Sequence, residues 1–345
     1  MRANQRYAAI DLLRIIAAGS VIAFHYLYLF PSYAAVFSIP VQTVASYGYL
    51  GVELFFMISG YVITLSALGR TRVQFQFAYA RFVRLWPAFV ICLGITLLAQ
   101  ILSGHALRTG MVLANLTMLP KLFGVPYADD VYWSLMFEIF FYTAITILVI
   151  SNGDFVRRLR VFTVTWLMIA IVGRFIELPK FKVFLALDFA PFFAVGMAVF
   201  LVRDARHMVA DWALLAVSIA LAVGFAVAQS KAKGSADMAV HPNPVVCGLI
   251  VAANAGALFA SVVVRIGPGL SGVAFALGGM SYPVYLLHNS FGSILVNWAQ
   301  LSSLPLSILS AMIAVFAICY GVWRVEMPLR KWLMRTIPKW GSSAG

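Results

Sequence analysis

Apolar runs of about twenty residues recur along this chain, and each is long enough to cross a bilayer as a helix. The amino acids are 63% hydrophobic and 11% charged, whereas soluble domains are roughly half apolar and a quarter charged. We therefore predict an all-α integral membrane protein with about ten transmembrane helices, forming a single domain over residues 1–345 with no appended soluble domain. The predicted spans are 8–30, 46–68, 82–103, 132–151, 161–177, 183–202, 211–229, 245–264, 273–299 and 305–324.

The lysines and arginines of the loops predict the orientation, because cytoplasmic loops carry an excess of positive charge. With ten spans, every second loop lies on the same side of the membrane as the two tails. Of the 25 basic residues, seventeen lie in or next to these tails and loops, and six lie on the opposite side. The remaining two, Arg14 and Arg174, lie within spans. Both termini are thus predicted to be cytoplasmic. This asymmetry accounts for the net charge of +13, so nucleic acid is not an implied partner.

Cysteine and histidine placement indicates no metal centre. Cys92, Cys247 and Cys319 all lie inside apolar runs, where they are expected to be small core residues and not a disulfide framework. No histidine and carboxylate have the sequence spacing of a metal site. The first apolar run is too long and too polar for a signal peptide, so we expect it to be retained.

The first span carries three ionisable residues, Asp11, Arg14 and His25, although a charge at mid-bilayer costs about 2.5–3.5 kcal/mol. On one helix, Arg14 and His25 share a face to within roughly 20° and lie about 16 Å apart. Asp11 can hold Arg14, but it lies about 21 Å from His25 along the axis and cannot orient it. This layout suits a long, anionic, linear ligand lying along the helix. The alternative is an Asp11–Arg14 anchor and a His25 that is only a satisfied core group.

Three further charged residues are predicted near the cytoplasmic surface. Arg81 and Arg84 are three residues apart at a predicted helix start, so they share a face where forked guanidiniums can grip phosphate. Simple anchoring by positive charge is the alternative. Glu326 is expected at the end of the last span, where a surface ion pair with a neighbouring arginine is the simplest interpretation.

A second group of polar residues is predicted farther out in the membrane. Glu53 and Glu138 enter the second and fourth spans from the outer side, and each must pair, be protonated or face water. Tyr285 and His288 lie three residues apart near the middle of the ninth span, just after Pro283. For both carboxylates and for this motif, structural hydrogen bonds between neighbouring helices are the competing interpretation.

Six motifs follow one another in a recognisable order. They are Asp11 to Arg14 followed by His25, Gly51 to Gly60, Arg81 to Arg84 with Pro87, Trp133 to Leu135 with Glu138 and Tyr142, Ser281 to His288, and Glu326 to Pro328. The ordered set covers nearly the whole chain and resembles the membrane acyltransferase 3 family. Arg14 and His25, separated by ten residues, match that family's signature pair, and Arg81 and Arg84 match its Arg-x-x-Arg pair.

The resemblance implies transfer of an acyl group, usually acetyl from cytoplasmic acetyl-CoA, to hydroxyls of sugars in surface polysaccharide, lipopolysaccharide, peptidoglycan or secondary metabolites. It implies a bacterial inner-membrane protein that meets acyl-CoA, a surface glycan or lipid-linked saccharide, and membrane lipids. The implied catalytic residues are His25, Glu53 and Glu138. The implied acyl-CoA-binding residues are Asp11, Arg14, Arg81, Arg84, Tyr285, His288 and Glu326.

Combined with the predicted depths, the resemblance places the nucleotide of acetyl-CoA by the cytoplasmic arginines and its arm along the first helix towards His25. His25 is then the general base on the acceptor hydroxyl, with Glu53 or Glu138 orienting the ring or binding the sugar. An acetyl-histidine intermediate and a succinyl or longer acyl donor are alternatives within this class. A transporter or flippase fits intramembrane charges equally well. A structural or assembly subunit is the third class.

Overall fold

The described part of the protein is built from helices alone. The computed structural model describes residues 2–68, 74–151, 153–176, 179–205, 208–230, 240–264 and 266–335, and no strand occurs among them. A π-helical turn, His25–Leu29, continues the first helix. The α-helices are α1 Arg2–Phe24, α2 Pro31–Ala34, α3 Ile39–Ala45, α4 Leu50–Leu68, α5 Gln74–Leu102, α6 Thr109–Leu116, α7 Trp133–Ile150, α8 Phe155–Gly173, α9 Pro179–Phe184, α10 Ala190–Arg203, α11 Val209–Ser230, α12 Pro244–Val263, α13 Pro268–Leu287, α14 Ser290–Ala299 and α15 Leu304–Arg335.

The predicted all-α membrane architecture is confirmed. Among the described residues, eight helices are long and apolar enough to cross a membrane. The predicted span 161–177 corresponds to α8, whose first turns carry three arginines, and the predicted span 183–202 corresponds to the shorter apolar helix α10. The total of ten spans, the single domain and the cytoplasmic termini stay predictions. Some of the basic residues counted above lie outside the described residues: Arg70, Arg72, Arg206, Lys231, Lys233, Arg265 and Lys339.

The ninth predicted span, 273–299, was wrong as one continuous helix. It is divided into α13 and α14 at His288 and Asn289. Asn289 has a ψ of −86°, outside the helical range, so the regular hydrogen-bond ladder cannot continue through it. Pro283, a residue type that commonly kinks or ends a helix, lies inside α13. The break therefore comes five residues later than its sequence signal.

The last predicted span, 305–324, lies within a longer helix. Helix α15 continues through Pro328 to Arg335. A proline removes only one backbone donor, and packing can hold a helix together across that gap. Glu326 accordingly lies inside α15 with only 3% of its surface exposed, and the expectation of a surface carboxylate is corrected.

The centre of the bundle is α10, in which every residue except Arg203 is buried. It crosses α4 where Gly60 meets Gly196. A Cβ atom added to either glycine would collide with backbone atoms of the other helix. Gly48 and Gly51 similarly let α4 approach the backbone of α1. These contacts support a packing role for the glycines of the second span, because small residues allow close helix approach in membranes.

Helices α1 and α13 pack closely along one another, and this pair positions the candidate site. Near the N-terminal part of α1, Asp11 lies against Gly278, where a Cβ atom would collide with the aspartate side chain. At the other end, the ring of His25 lies against the ring of His288. The two helices thus connect a charged end with a histidine end.

Candidate functional site

Three arginines separate two adjoining cavities. Arg14, Arg81 and Arg84 line both. The first, which we call the basic cavity, is also lined by Arg330 and Trp323. We call the second the tyrosine cavity. Its hydroxyl-bearing lining residues are Ser59, Ser134, Tyr142, Ser281, Tyr282 and Tyr285.

Local structure holds these arginines in place. The Arg14 guanidinium lies 2.9 Å from the Asp11 carboxylate, and the expected pairing of these two residues is confirmed. Arg81 and Arg84 were expected at a helix start. They lie instead inside α5, which begins at Gln74, yet their spacing of three still places them on one face. The result is a fixed cluster of positive charge suited to an anion with several negative groups.

Arg330 extends the basic cavity from the last helix. Its guanidinium lies 3.5 Å from the buried Glu326 carboxylate, one turn away on α15. Trp323 packs its indole against Gly279 of α13. Glu326 therefore contacts the cavity lining through Arg330, and Arg330 and Trp323 are candidate site residues that the sequence analysis did not single out.

Glu138 lines the tyrosine cavity, beside the arginines. Its carboxylate accepts hydrogen bonds from the Tyr142 hydroxyl and, at 3.1 Å, from the Ser59 hydroxyl. These partners are hydroxyl groups of the cavity lining, so whether Glu138 orients the ring or binds the sugar stays a prediction. Glu53 is 3% exposed in the first turn of α4 and is not one of the residues lining either cavity in the described part of the chain.

His25 lies at the start of the π-helical turn and meets His288 at the end of α13. The His288 Nε2 is 3.3 Å from the His25 Nδ1, and the ring centroids are 5.0 Å apart. A π-helical turn adds a residue to the helical repeat and is frequent at functional sites. The resemblance assigned His288 to the acyl-CoA-binding residues, and that role stays a prediction. The structure places its ring directly against His25.

Hydrogen bonds to backbone carbonyls assign the neutral tautomers of both rings. The His288 Nδ1 is 2.8 Å from the Tyr285 carbonyl and the His25 Nδ1 is 2.8 Å from the Val21 carbonyl. A carbonyl can only accept, so each Nδ1 carries the proton and each Nε2 carries the lone pair. The His25 Nδ1–H therefore lies between two acceptors, the Val21 carbonyl and the His288 Nε2. The nitrogen of neutral His25 that can accept a proton is therefore Nε2.

The break after α13 is held from two sides. From α1's π-helical turn, the Tyr26 hydroxyl donates to the His288 carbonyl. From the segment before α7, the Asp129 carboxylate accepts from the Asn289 side-chain amide at 2.6 Å and from the Ser290 backbone N–H at 2.7 Å. Ser290 is the first residue of α14, so Asp129 caps that helix from a distant part of the chain.

Asp129 is itself a buried carboxyl, 2% exposed. Burial raises its pKa to about 6, although hydrogen bonds from Asn289, Ser290 and the Val131 backbone N–H favour the charged form. At neutral pH the carboxylate is ionised and offers both oxygens as acceptors. It therefore fixes the backbone immediately after His288.

Tyr285 connects the tyrosine cavity to the histidine pair. Its hydroxyl is 2.8 Å from the Ser134 hydroxyl and donates to the Val131 carbonyl at 3.1 Å. Its ring packs against the His288 ring with centroids 5.7 Å apart. His288 thus contacts both a cavity-lining residue and His25.

Comparison with known families agrees with this geometry. A family model described as an acyltransferase domain, of the acyltransferase 3 type, matches residues 7–324. The chain belongs to the acyltransferase 3 family. No curated protein and no solved structure matches the chain at a significant level.

In this acyltransferase, the residues that sequence reasoning missed are the ones that position others. Asp129 has a local signal, since its side chain also accepts from Val131 N–H and begins a 3₁₀ turn. Its contacts with Asn289 and Ser290 link residues about 160 positions apart, which no local pattern reveals. Tyr26 lies next to the signature histidine, but its partner, the His288 carbonyl, is 262 positions away in sequence.

Proposed function

We propose that this acyltransferase moves an acyl group, most simply acetyl from cytoplasmic acetyl-CoA, to a hydroxyl of an extracytoplasmic sugar in a bacterial inner membrane. The acceptor is a surface glycan, such as exopolysaccharide or O-antigen, or a lipid-linked saccharide. One observation carries the proposal: α1 and α13 join an arginine-lined cavity at one end to a paired histidine with a defined basic nitrogen at the other.

The arginine-lined end of the site fits a CoA thioester as the acyl donor. The nucleotide of CoA carries phosphates, which forked guanidiniums bind in a bidentate manner. Arg14, Arg81 and Arg84 stand where the basic cavity meets the tyrosine cavity. A ligand with its phosphates on these arginines can extend a neutral arm into the tyrosine cavity. Tyr285, at the histidine side of that cavity, contacts His288.

The histidine end fits general-base catalysis. The His25 Nε2 takes the proton of the acceptor hydroxyl while the oxygen attacks the thioester carbonyl. As the tetrahedral intermediate collapses, the C–S bond breaks and the CoA sulfur takes the proton back from His25. During the charged stage, the His25 Nδ1–H is held by the Val21 carbonyl and the His288 Nε2. His288 plays the orienting part that a carboxylate plays in other triads.

The first test is His25→Ala in membranes supplied with labelled acetyl-CoA and an acceptor glycan. We expect O-acetylation to fall by about 10²–10⁴-fold, the usual contribution of a general base, while binding of coenzyme A is retained. His105→Ala, at an exposed histidine in a loop, is the matched control. Wild-type product from His25→Ala at equal expression would remove His25 as the base.

A second experiment identifies the acceptor. We compare, by mass, the surface glycans of cells that lack this protein with those of the same cells complemented with wild-type protein or with His25→Ala. We expect an acetyl increment only with wild-type protein. Substrate flux without dependence on CoA would favour the transporter class instead.

A further inference from the structure

Tyr282 stands out among the residues of the tyrosine cavity. It lies on α13 and lines the cavity. Its hydroxyl oxygen is buried and has no hydrogen-bond partner among the described residues. A buried hydroxyl without a partner costs free energy, and such groups are rare in folded proteins. An unpaired donor that faces a cavity therefore points to a ligand that pairs with it.

The neighbouring hydroxyls sharpen this contrast. The Tyr285 hydroxyl is paired with Ser134, and the Tyr142 hydroxyl donates to Glu138. Ser281, next to Tyr282 in sequence, donates to the Gly278 carbonyl at 2.7 Å. Tyr282 is thus the one tyrosine of the described cavity lining whose hydroxyl lacks a protein partner.

We propose that the Tyr282 hydroxyl donates a hydrogen bond to an amide carbonyl on the pantetheine arm of the acyl-CoA. This inference rests on the proposed function, because it assigns a contact to the same donor. Pantetheine is uncharged and carries two amides, so its carbonyl oxygens are acceptors suited to a phenolic donor.

The position of Tyr282 selects the arm over the other parts of the donor. Along α13 it lies about 6 Å beyond Gly278, which packs on Asp11, and about 9 Å short of His288. Helical side chains lean towards the N-terminus, so the hydroxyl is displaced towards the arginine end. The reacting thioester must lie near His25. The group that passes Tyr282 is therefore the arm.

This placement predicts a particular kinetic signature. A contact with the arm is made equally in the ground state and in the transition state, so its loss raises KM and leaves kcat nearly unchanged. A contact with the developing oxyanion of the thioester would lower kcat instead. The two assignments are thus separable with one variant.

The experiment compares wild-type protein with Tyr282→Phe, purified in detergent, by titration with coenzyme A and with adenosine 3′,5′-bisphosphate, which lacks the arm. We expect the Kd of coenzyme A to rise about three- to tenfold, as for one lost hydrogen bond. The Kd of the bisphosphate should not change. The apo Tm of Tyr282→Phe should equal or exceed that of wild type, because the variant removes an unpaired group.

Tyr132→Phe is the matched control. Its buried hydroxyl lies 3.4 Å from the Thr96 hydroxyl, and Tyr132 is not among the described residues that line the cavity, so its loss should lower Tm and leave the Kd of coenzyme A unchanged. Equal coenzyme A affinity in wild type and Tyr282→Phe overturns the inference, and so does an equal loss for both ligands. Neither result touches the proposed donor, because wild-type protein still binds coenzyme A. Wild-type protein that does not bind coenzyme A at all overturns the proposed function as well.

Discussion

The arginine end and the histidine end of α1 are built in different ways. At the first, Arg14 belongs to a cluster of long side chains around open cavities. At the second, His25 meets a fully buried His288, and backbone carbonyls fix both rings. The first region relies on charge and space, whereas the second relies on two departures from regular helix geometry, the π-helical turn and the break at Asn289.

This difference supports the proposal that the arginine end binds the ligand and the histidine end transfers the proton. Binding a flexible, multiply charged ligand needs guanidiniums and room, and small displacements of long side chains cost little. Proton transfer needs an imidazole held in one tautomer and one orientation, because misplaced groups lose much of their catalytic effect. Substitutions at the two ends should therefore act on different kinetic constants.

After His25 itself, the largest expected effect is at His288. In His288→Ala the His25 ring loses one of its two Nδ1–H acceptors, so we expect kcat to fall by about 10²-fold with little change in the KM for acyl-CoA. His288→Gln should recover part of the activity, because its side-chain oxygen can accept from the same N–H. Steady-state kinetics on membranes measure both. A kcat equal to wild type in both variants would show that His25 works without His288.

At Arg84 we expect a smaller effect, and we expect it on the KM for acyl-CoA instead of kcat. A charge-assisted hydrogen bond contributes about 2 kcal/mol, so Arg84→Ala should raise the KM for acyl-CoA by roughly 30-fold and leave kcat nearly unchanged. Arg324→Ala, at an exposed arginine that does not line the basic cavity, should leave both constants near wild type. A fall in kcat alone for Arg84→Ala would contradict the proposed separation of the two ends.

The smallest effect is expected at Asp129, which supports the histidine end from outside it. In Asp129→Asn one oxygen is replaced by an amide that cannot accept from the Ser290 N–H, so the backbone beside His288 is held less firmly. We expect kcat to fall roughly three- to tenfold, as for one hydrogen bond. An altered KM for acyl-CoA with unchanged kcat would count against this positioning role.

The same variant has a pH signature in stability. Because burial raises the pKa of Asp129 from 3.8 to about 6 in the folded protein, the folded state binds the proton more tightly than the unfolded chain. The free energy of unfolding contributed by this group is therefore greatest below pH 4 and falls as pH rises towards 6. The Tm of wild type minus that of Asp129→Asn should decrease over this range and level off above it. A difference independent of pH would contradict the raised pKa.

The two regions were also unequally predictable. Apolar length predicted the helices, and Arg14, Asp11 and Arg84 could be placed from helical spacing and loop charge, since these depend on nearby residues. The contact of His25 with His288 depends on how α1 packs on α13. The break at Asn289 depends on Asp129 and Tyr26. Such contacts are set by tertiary packing, which outweighs the local signal of Pro283.

The near-complete burial of the central helix α10 has a consequence for how its length is determined. Its 14 residues extend about 21 Å, whereas the hydrocarbon layer is about 30 Å thick. Protein surrounds it, so lipid need not match its length, and Asp204 just beyond its end is bound by the Tyr61 hydroxyl at 2.7 Å. The length of this helix is therefore set by its protein neighbours and not by the thickness of the bilayer.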